Sequence, residues 1–187
     1  MEIIKESKIP GCFLLRPKIY KDERGTLVKP YHSESFKVLG LHGEYNEELI
    51  VTSAKNVIRG LHFQLPPLPQ VKVVSCVKGR IFDVVLDIRK GSPTYGEWEG
   101  FILDNENNHV LYVPEGMAHG YAVYEENTVV CYRMSNVFSQ ELDGGIRWDS
   151  AEVEWGIRKP IVSQKDAGLI PFSQFDSRFV YKKHRFI

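Results

Sequence analysis

Val71-Lys72-Val73-Val74-Ser75-Cys76-Val77-Lys78-Gly79-Arg80-Ile81-Phe82-Asp83-Val84-Val85-Leu86-Asp87-Ile88 reads as two β-strands around a Lys78-Gly79 turn. Side chains alternate along a strand, so positions 81, 83, 85 and 87 share one face while Phe82, Val84 and Leu86 share the other. Both faces carry bulky apolar groups. A strand covered on both sides fits a double-sheet β structure, and the same alternation sets Asp83 and Asp87 beside Ile81 and Val85. A carboxylate in such surroundings needs a partner.

Outward from this pair the pattern repeats. Val57 to Gln64, Glu97 to Leu103, Val110 to Pro114, Tyr121 to Tyr124 and Thr128 to Met134 are short β-type runs. Turn signals separate them, among them Lys90-Gly91-Ser92-Pro93, Asp104-Asn105-Glu106-Asn107-Asn108 and Glu125-Glu126-Asn127. Such spacing predicts an antiparallel sandwich or barrel. Ser33 to Leu41 reads as one short helix, and the tail from Ser163 onward as loops and short helices that wrap the barrel. No linker, repeat or low-complexity stretch divides the chain, so residues 1–187 are expected to form one domain.

Composition narrows the classes of partner. Hydrophobic residues make up 43% and charged residues 26%, the balance of an ordinary folded protein. Lys plus Arg equal Asp plus Glu at 24 each, so no global positive field favours nucleic acid and an anionic ligand must be held by local arginines. No apolar run approaches the roughly 20 residues that span a bilayer, and a cytoplasmic, membrane-free protein is expected. Cys12, Cys76 and Cys131 are widely spaced among apolar neighbours with no CxxC pair, and read as buried structural thiols.

Three polar groups interrupt otherwise apolar strands: His62 in Arg59-Gly60-Leu61-His62-Phe63-Gln64, Lys72 in Gln70-Val71-Lys72-Val73-Val74, and Tyr132 in Val130-Cys131-Tyr132-Arg133. A lone strand histidine is commonly structural and a lone strand lysine commonly faces water. Brought to one cavity, the three make a kit for enolising a ketone. Histidine titrates near neutrality and can take a carbon-bound proton, lysine can hold the enolate oxygen, and tyrosine can return a proton from the other side. Arg24, in the polar turn Tyr20-Lys21-Asp22-Glu23-Arg24-Gly25, and Arg59 carry the planar fork suited to a diphosphate.

Pro114-Glu115-Gly116-Met117-Ala118-His119-Gly120 matches the PxGxxH half of the cupin pattern. The other half normally supplies two histidines and an acid, where this chain has His62-Phe63-Gln64 followed by Leu65-Pro66-Pro67-Leu68-Pro69. His62 and His119 alone fall short of the three or four donors of a stable metal site, so no metal is expected. His32, His42, His109 and His184 lie in turn-like or terminal contexts and read as surface residues.

Taken together, Asp22-Glu23-Arg24-Gly25, Asn56 to Gln64, Phe82-Asp83-Val84, Asp87-Ile88-Arg89-Lys90, Ser92-Pro93-Thr94-Tyr95-Gly96, Pro114 to Gly120 and Ile146-Arg147-Trp148 resemble the dTDP-4-dehydrorhamnose 3,5-epimerase family over nearly the whole chain. That resemblance implies an all-β, double-sheet jelly-roll (cupin-like) β-barrel with short helices in the C-terminal tail. It implies a homodimer and a cofactor-independent epimerase of a nucleotide-diphosphate 4-keto-6-deoxy sugar, feeding deoxysugar and O-antigen-type polysaccharide synthesis. It also places the general base on His62, its orienting acid on Asp166, the oxyanion lysine on Lys72 and the proton-donating tyrosine on Tyr132. Substrate contacts fall on Arg24, Arg59, His119 and Lys165, with an acidic position at Asp143.

Three departures bear on specificity. Lys29 stands where the family usually has a glutamate, and Glu47-Glu48-Leu49 where it usually has a Gln-x-Asn contact, which leaves dTDP, CDP and GDP open as the nucleotide. Phe138 stands where the family often carries a second active-site tyrosine, so inversion at one of C3 and C5 alone is an expectation to test. A nucleotide-sugar 3,4-ketoisomerase, a metal-dependent cupin oxygenase and a non-catalytic sugar-nucleotide binding module remain the alternatives.

Overall fold

The computed structural model describes residues 1–182. Its strands are β1 (Glu2–Glu6), β2 (Phe13–Arg16), β3 (Lys18–Asp22), β4 (Gly25–Lys29), β5 (Glu47–Ser53), β6 (Ile58–Gln64), β7 (Lys72–Lys78), β8 (Arg80–Asp87), β9 (Trp98–Asp104), β10 (Val110–Val113), β11 (Met117–Val123), β12 (Thr128–Met134) and β13 (Asp143–Gly145). Two helices, α1 (Ser33–Val38) and α2 (Gln164–Ala167), and a 3-10 turn at Phe172–Gln174 complete the elements.

The strands form a six-stranded sheet in the order β1-β2-β10-β7-β12-β5 and a five-stranded sheet in the order β13-β6-β11-β8-β9. All pairings between these strands are antiparallel. The two sheets close over one another as a cupin-like jelly roll. Val74 and Cys76 of β7, Leu111 and Val113 of β10 and Val130 of β12 meet Ile81 and Val85 of β8, Phe101 and Leu103 of β9, and Tyr121 and Val123 of β11 in the core between them.

The outer faces are covered as well. Ile58, Leu61, Phe63, Val84, Leu86, Ala118 and Ala122 pack beneath Trp155 and, from the tail, Phe179. Phe13, Leu15, Val71, Val73 and Tyr112 pack under Phe36 of α1. Two covered faces explain the near-continuous apolar runs of β7 and β8. The parity read from the sequence holds: Ile81 and Val85 look into the inter-sheet core and Val84 and Leu86 look outward. Asp83 and Asp87 are fully buried; Asp87 is paired with Arg89 through both oxygens, whereas Asp83 is bound by His119 through Oδ1 alone.

Boundaries differ where turn chemistry intervenes. β11 begins at Met117, four residues before the expected Tyr121, because Gly116, at φ 80°, makes the turn and the chain runs straight into the sheet from there. α1 stops at Val38, since Gly40 adopts φ 70°. Cys12 and Cys76 are buried as expected, whereas Cys131 is only half-buried on β12. His32 and His42 are exposed and His109 is partly so; His184 lies outside the described residues.

β3 and β4 stand apart as a two-stranded hairpin with a sheet of its own. Almost every residue of the hairpin is exposed, including Ile19, Tyr20 and Leu27.

Candidate active site

Parity places the candidate groups before any contact is considered. Lys72 lies on the Val74 and Cys76 side of β7, Tyr132 on the Val130 side of β12, and His119 on the Tyr121 side of β11, so all three face the space between the sheets. β6 would have turned His62 the other way without a local irregularity. Its register against β11 shifts between the His62–His119 and Arg59–Tyr121 pairs, and Gly60 takes φ 118° there. A Cβ at Gly60 would come within 2.7 Å of the Gly120 Cα, so this close crossing requires glycine. Beyond it, Leu61 and Phe63 point to the outer core, and His62 stands opposite His119 on the inner side.

The Gly60 irregularity also supplies a hydrogen bond. Its amide donates to Asp166 Oδ2 at 3.1 Å, while His62 Nε2 donates to Asp166 Oδ1 at 2.7 Å. Asp166 sits in α2, where Ser163 caps the turn by accepting from the Asp166 amide at 3.0 Å. Burial alone would raise the Asp166 carboxyl, but His62 and the Gly60 and Ser163 contacts outweigh it and hold the carboxyl below its ordinary value. An ionised acid of this kind fixes the tautomer of the imidazole and leaves its Nδ1 as the basic nitrogen. His62 keeps 32% of its side chain open while Asp166 keeps 6%, as suits a base that meets a ligand and an acid that only orients it.

On the facing sheet, Lys72 is buried and donates from Nζ to the His62 carbonyl at 3.2 Å. Burial lowers its ammonium to about 8, and Asp83 and Asp143 act against a further fall. Tyr132 lies with its ring edge to face against His119, centroids 5.8 Å apart, and 6.1 Å from Tyr121. Burial and the nearby Tyr121 and Asp83 push its phenol well above the ordinary value, so it is a protonated donor throughout the physiological range. His119 and Asp83 form a second imidazole–carboxylate pair at 2.8 Å, buried on both sides.

The remaining expected residues divide into two groups. Arg59 lies across from Tyr121 and donates from Nε to Ser53 Oγ at 3.0 Å. Asp143, opposite Gln64 on β13, pairs with Lys165, the neighbour of Asp166. Glu47 at the start of β5 accepts from the Phe138 amide at 2.5 Å. Arg24 and Lys29 are not brought to these groups within one chain. Both are exposed on the β3–β4 hairpin, and Arg24 is bound to Asp22 in its own turn. Arg24 and Arg59 therefore do not converge at one mouth within a single copy, because the segment bearing Arg24 forms an arm rather than a strand of either large sheet.

Asp83, Tyr121 and Ser53 were not among the expected site residues. Asp83 had a sequence signal, an acid on the inward face of an apolar strand. Tyr121 and Ser53 had none, since each sits in an ordinary strand pattern. Among the described residues no three His, Cys, Asp or Glu side chains cluster as a metal site would require.

Residues 6–174 match the family model described as dTDP-4-dehydrorhamnose 3,5-epimerase. The chain is 40% identical over 169 residues to a dTDP-4-dehydrorhamnose 3,5-epimerase of Shigella flexneri, covering 89% of this chain and 93% of that one. It is 33% identical over 177 residues to a dTDP-4-dehydrorhamnose 3-epimerase of Streptomyces niveus, covering 87% and 86%. A crystal structure of dTDP-6-deoxy-D-glucose-3,5-epimerase from Legionella pneumophila, in complex with dTDP-4-keto-L-rhamnose, matches with a TM-score of 0.90 at 31% identity, covering 95% and 97%.

Proposed function

Because the chain belongs to the dTDP-4-dehydrorhamnose 3,5-epimerase family, we propose that it inverts carbons next to the C4 ketone of a dTDP-linked 4-keto-6-deoxy sugar, without a cofactor. His62, oriented by Asp166, removes the proton α to the ketone. Lys72 holds the enolate oxygen, and Tyr132 returns a proton to the opposite face. The observation that carries this reading is the placement of base and phenol on facing sheets: His62 on β6 of one, Tyr132 on β12 of the other. A ring lying between them offers one face to each, which is what inversion needs. Arg59, His119, Asp143 and Lys165 then contact the substrate around this centre.

Glu47 and Phe138 set the rim. Phe138 is 54% exposed and lacks the hydroxyl of a tyrosine, which favours a second reading in which one of C3 and C5 is inverted. The Streptomyces niveus relative, named a 3-epimerase, is a precedent for a single-centre enzyme in this family. Incubation with dTDP-, CDP- and GDP-linked 4-keto-6-deoxyglucose, followed by product NMR, decides both nucleotide and outcome. Turnover of the dTDP sugar with the ketone still at C4 is expected; a ketone at C3 would establish a ketoisomerase instead.

The same reading includes a homodimer working in the cytoplasm. The β3–β4 arm carries Ile19, Tyr20 and Leu27 exposed around Arg24 and Lys29, and Leu49 and Ile50 are exposed on the edge strand β5. A second copy covering these surfaces would bury the apolar groups and deliver the two cations to the neighbouring cavity.

A further inference from the structure

Asp83 has no part in the reaction as proposed, although it is a carboxylate buried on the inner face of β8, bound to the imidazole opposite His62. It is fully buried on β8. Oδ1 accepts from His119 Nε2 at 2.8 Å, while Oδ2 is buried with no hydrogen-bond partner among the described residues. Burial raises its carboxyl above the ordinary value, and His119 on β11 and Lys72 on β7 act against that rise. Asp83 in turn acts on Tyr121, Tyr132 and Cys12. Lys72 is bonded to the carbonyl of His62, which stands opposite the same His119 that Asp83 binds; Asp143, the other acid that supports its charge, is already paired with Lys165.

A buried ammonium without a counter-charge loses its proton, and a neutral amine cannot hold an enolate oxygen. A counter-charge in direct contact would occupy the donors that the enolate needs. Lys72 has neither defect: Nζ makes one hydrogen bond, to the His62 carbonyl, and no ion pair within 4.0 Å among the described residues. We propose that Asp83 is a positioning residue for the epimerisation: its carboxylate is the buried counter-charge that keeps the Lys72 ammonium protonated without touching it, and its bond to His119 fixes that imidazole opposite His62. Asp83 and Lys72 thus titrate as a pair, with the proton on the amine and the negative charge on the acid.

The proposal rests on Lys72 as the holder of the enolate oxygen, so both are tested together. Asp83→Asn keeps an acceptor for His119 and removes the charge. The protonated amine is the working form, so activity falls as pH rises through its ionisation, and loss of the nearby negative charge moves that fall to lower pH. In kcat/KM profiles of the full-length protein, the alkaline limb of Asp83→Asn is expected about 1 pH unit below that of the parent. The loss should lie in kcat rather than KM, and Asp83→Glu should return the limb toward its parental position. Asp83→Ser carries the same readout should the amide variant not fold. A limb that stays in place while kcat falls uniformly would overturn the proposal and leave Asp83 a structural partner of His119. Lys72→Gln separates the two assignments: parental activity in that variant would overturn the enolate role itself, and the proposal with it.

Discussion

Lys72 and His62 are joined by one hydrogen bond, from the ammonium to the backbone carbonyl of the base. The two groups are thus held against each other through backbone of β6, which is the pre-organisation that proton transfer requires. His62→Ala is expected to lower epimerisation by about 10²–10⁴-fold, the usual contribution of a general base. Tyr132→Phe separates the two halves of the reaction. The base and enolate support remain, so solvent deuterium should still wash into the substrate, while inversion is lost; loss of both would mean that the phenol also shapes the enolate. Asp166→Asn is expected to lower kcat with little effect on KM, because the acid orients the imidazole and is buried away from the ligand. Phe138→Tyr tests the number of centres: a gain of deuterium at a second carbon would tie single inversion to the absent hydroxyl.

At the scale of elements, the end of β8 is tied by Asp87, which is fully buried. It accepts from Arg89 Nε and Nη2 at 2.9 and 2.7 Å and from Ser92 and Thr94 at 2.6 and 2.8 Å. Asp87→Ala leaves the Arg89 cation buried and unpaired, and urea unfolding should show a loss of about 3–5 kcal/mol. Burial would raise the Asp87 carboxyl, but these partners depress it. A depressed carboxyl stabilises the fold above its unfolded value, near 3.9, and that share is lost as pH falls through the lower folded value, so it should matter only in acid unfolding. The strands from β6 to β12 were legible because two covered faces impose alternating or continuous apolar runs. β3 and β4 were not, since Lys18 to Lys29 are almost all exposed and carry no such pattern. The catalytic candidates were legible as polar interruptions, whereas the irregularity that aims His62 inward depends on how Gly60 crosses Gly120, a three-dimensional fact. Asp166, 104 residues from His62, was reached only through the family resemblance.

For the whole molecule, the arm is the part whose purpose a single copy does not explain. Arg24→Ala is expected to raise KM without altering deuterium exchange per bound substrate, as befits a cation that holds the ligand and takes no part in proton transfer. Light scattering should give twice the 21.5 kDa of one chain, and deletion of residues 18–29 should shift the mass toward one. A monomer that binds substrate as tightly as the parent would show that the arm serves neither purpose.

The most direct test of the proton-transfer chemistry is NMR of a dTDP-linked 4-keto-6-deoxy sugar incubated in D₂O with the parent protein and with His62→Ala. The parent is expected to place deuterium at C3, C5 or both, with inversion and with the ketone retained at C4, while the variant places none. Deuterium entering at the parental rate in His62→Ala would contradict the assignment of the base.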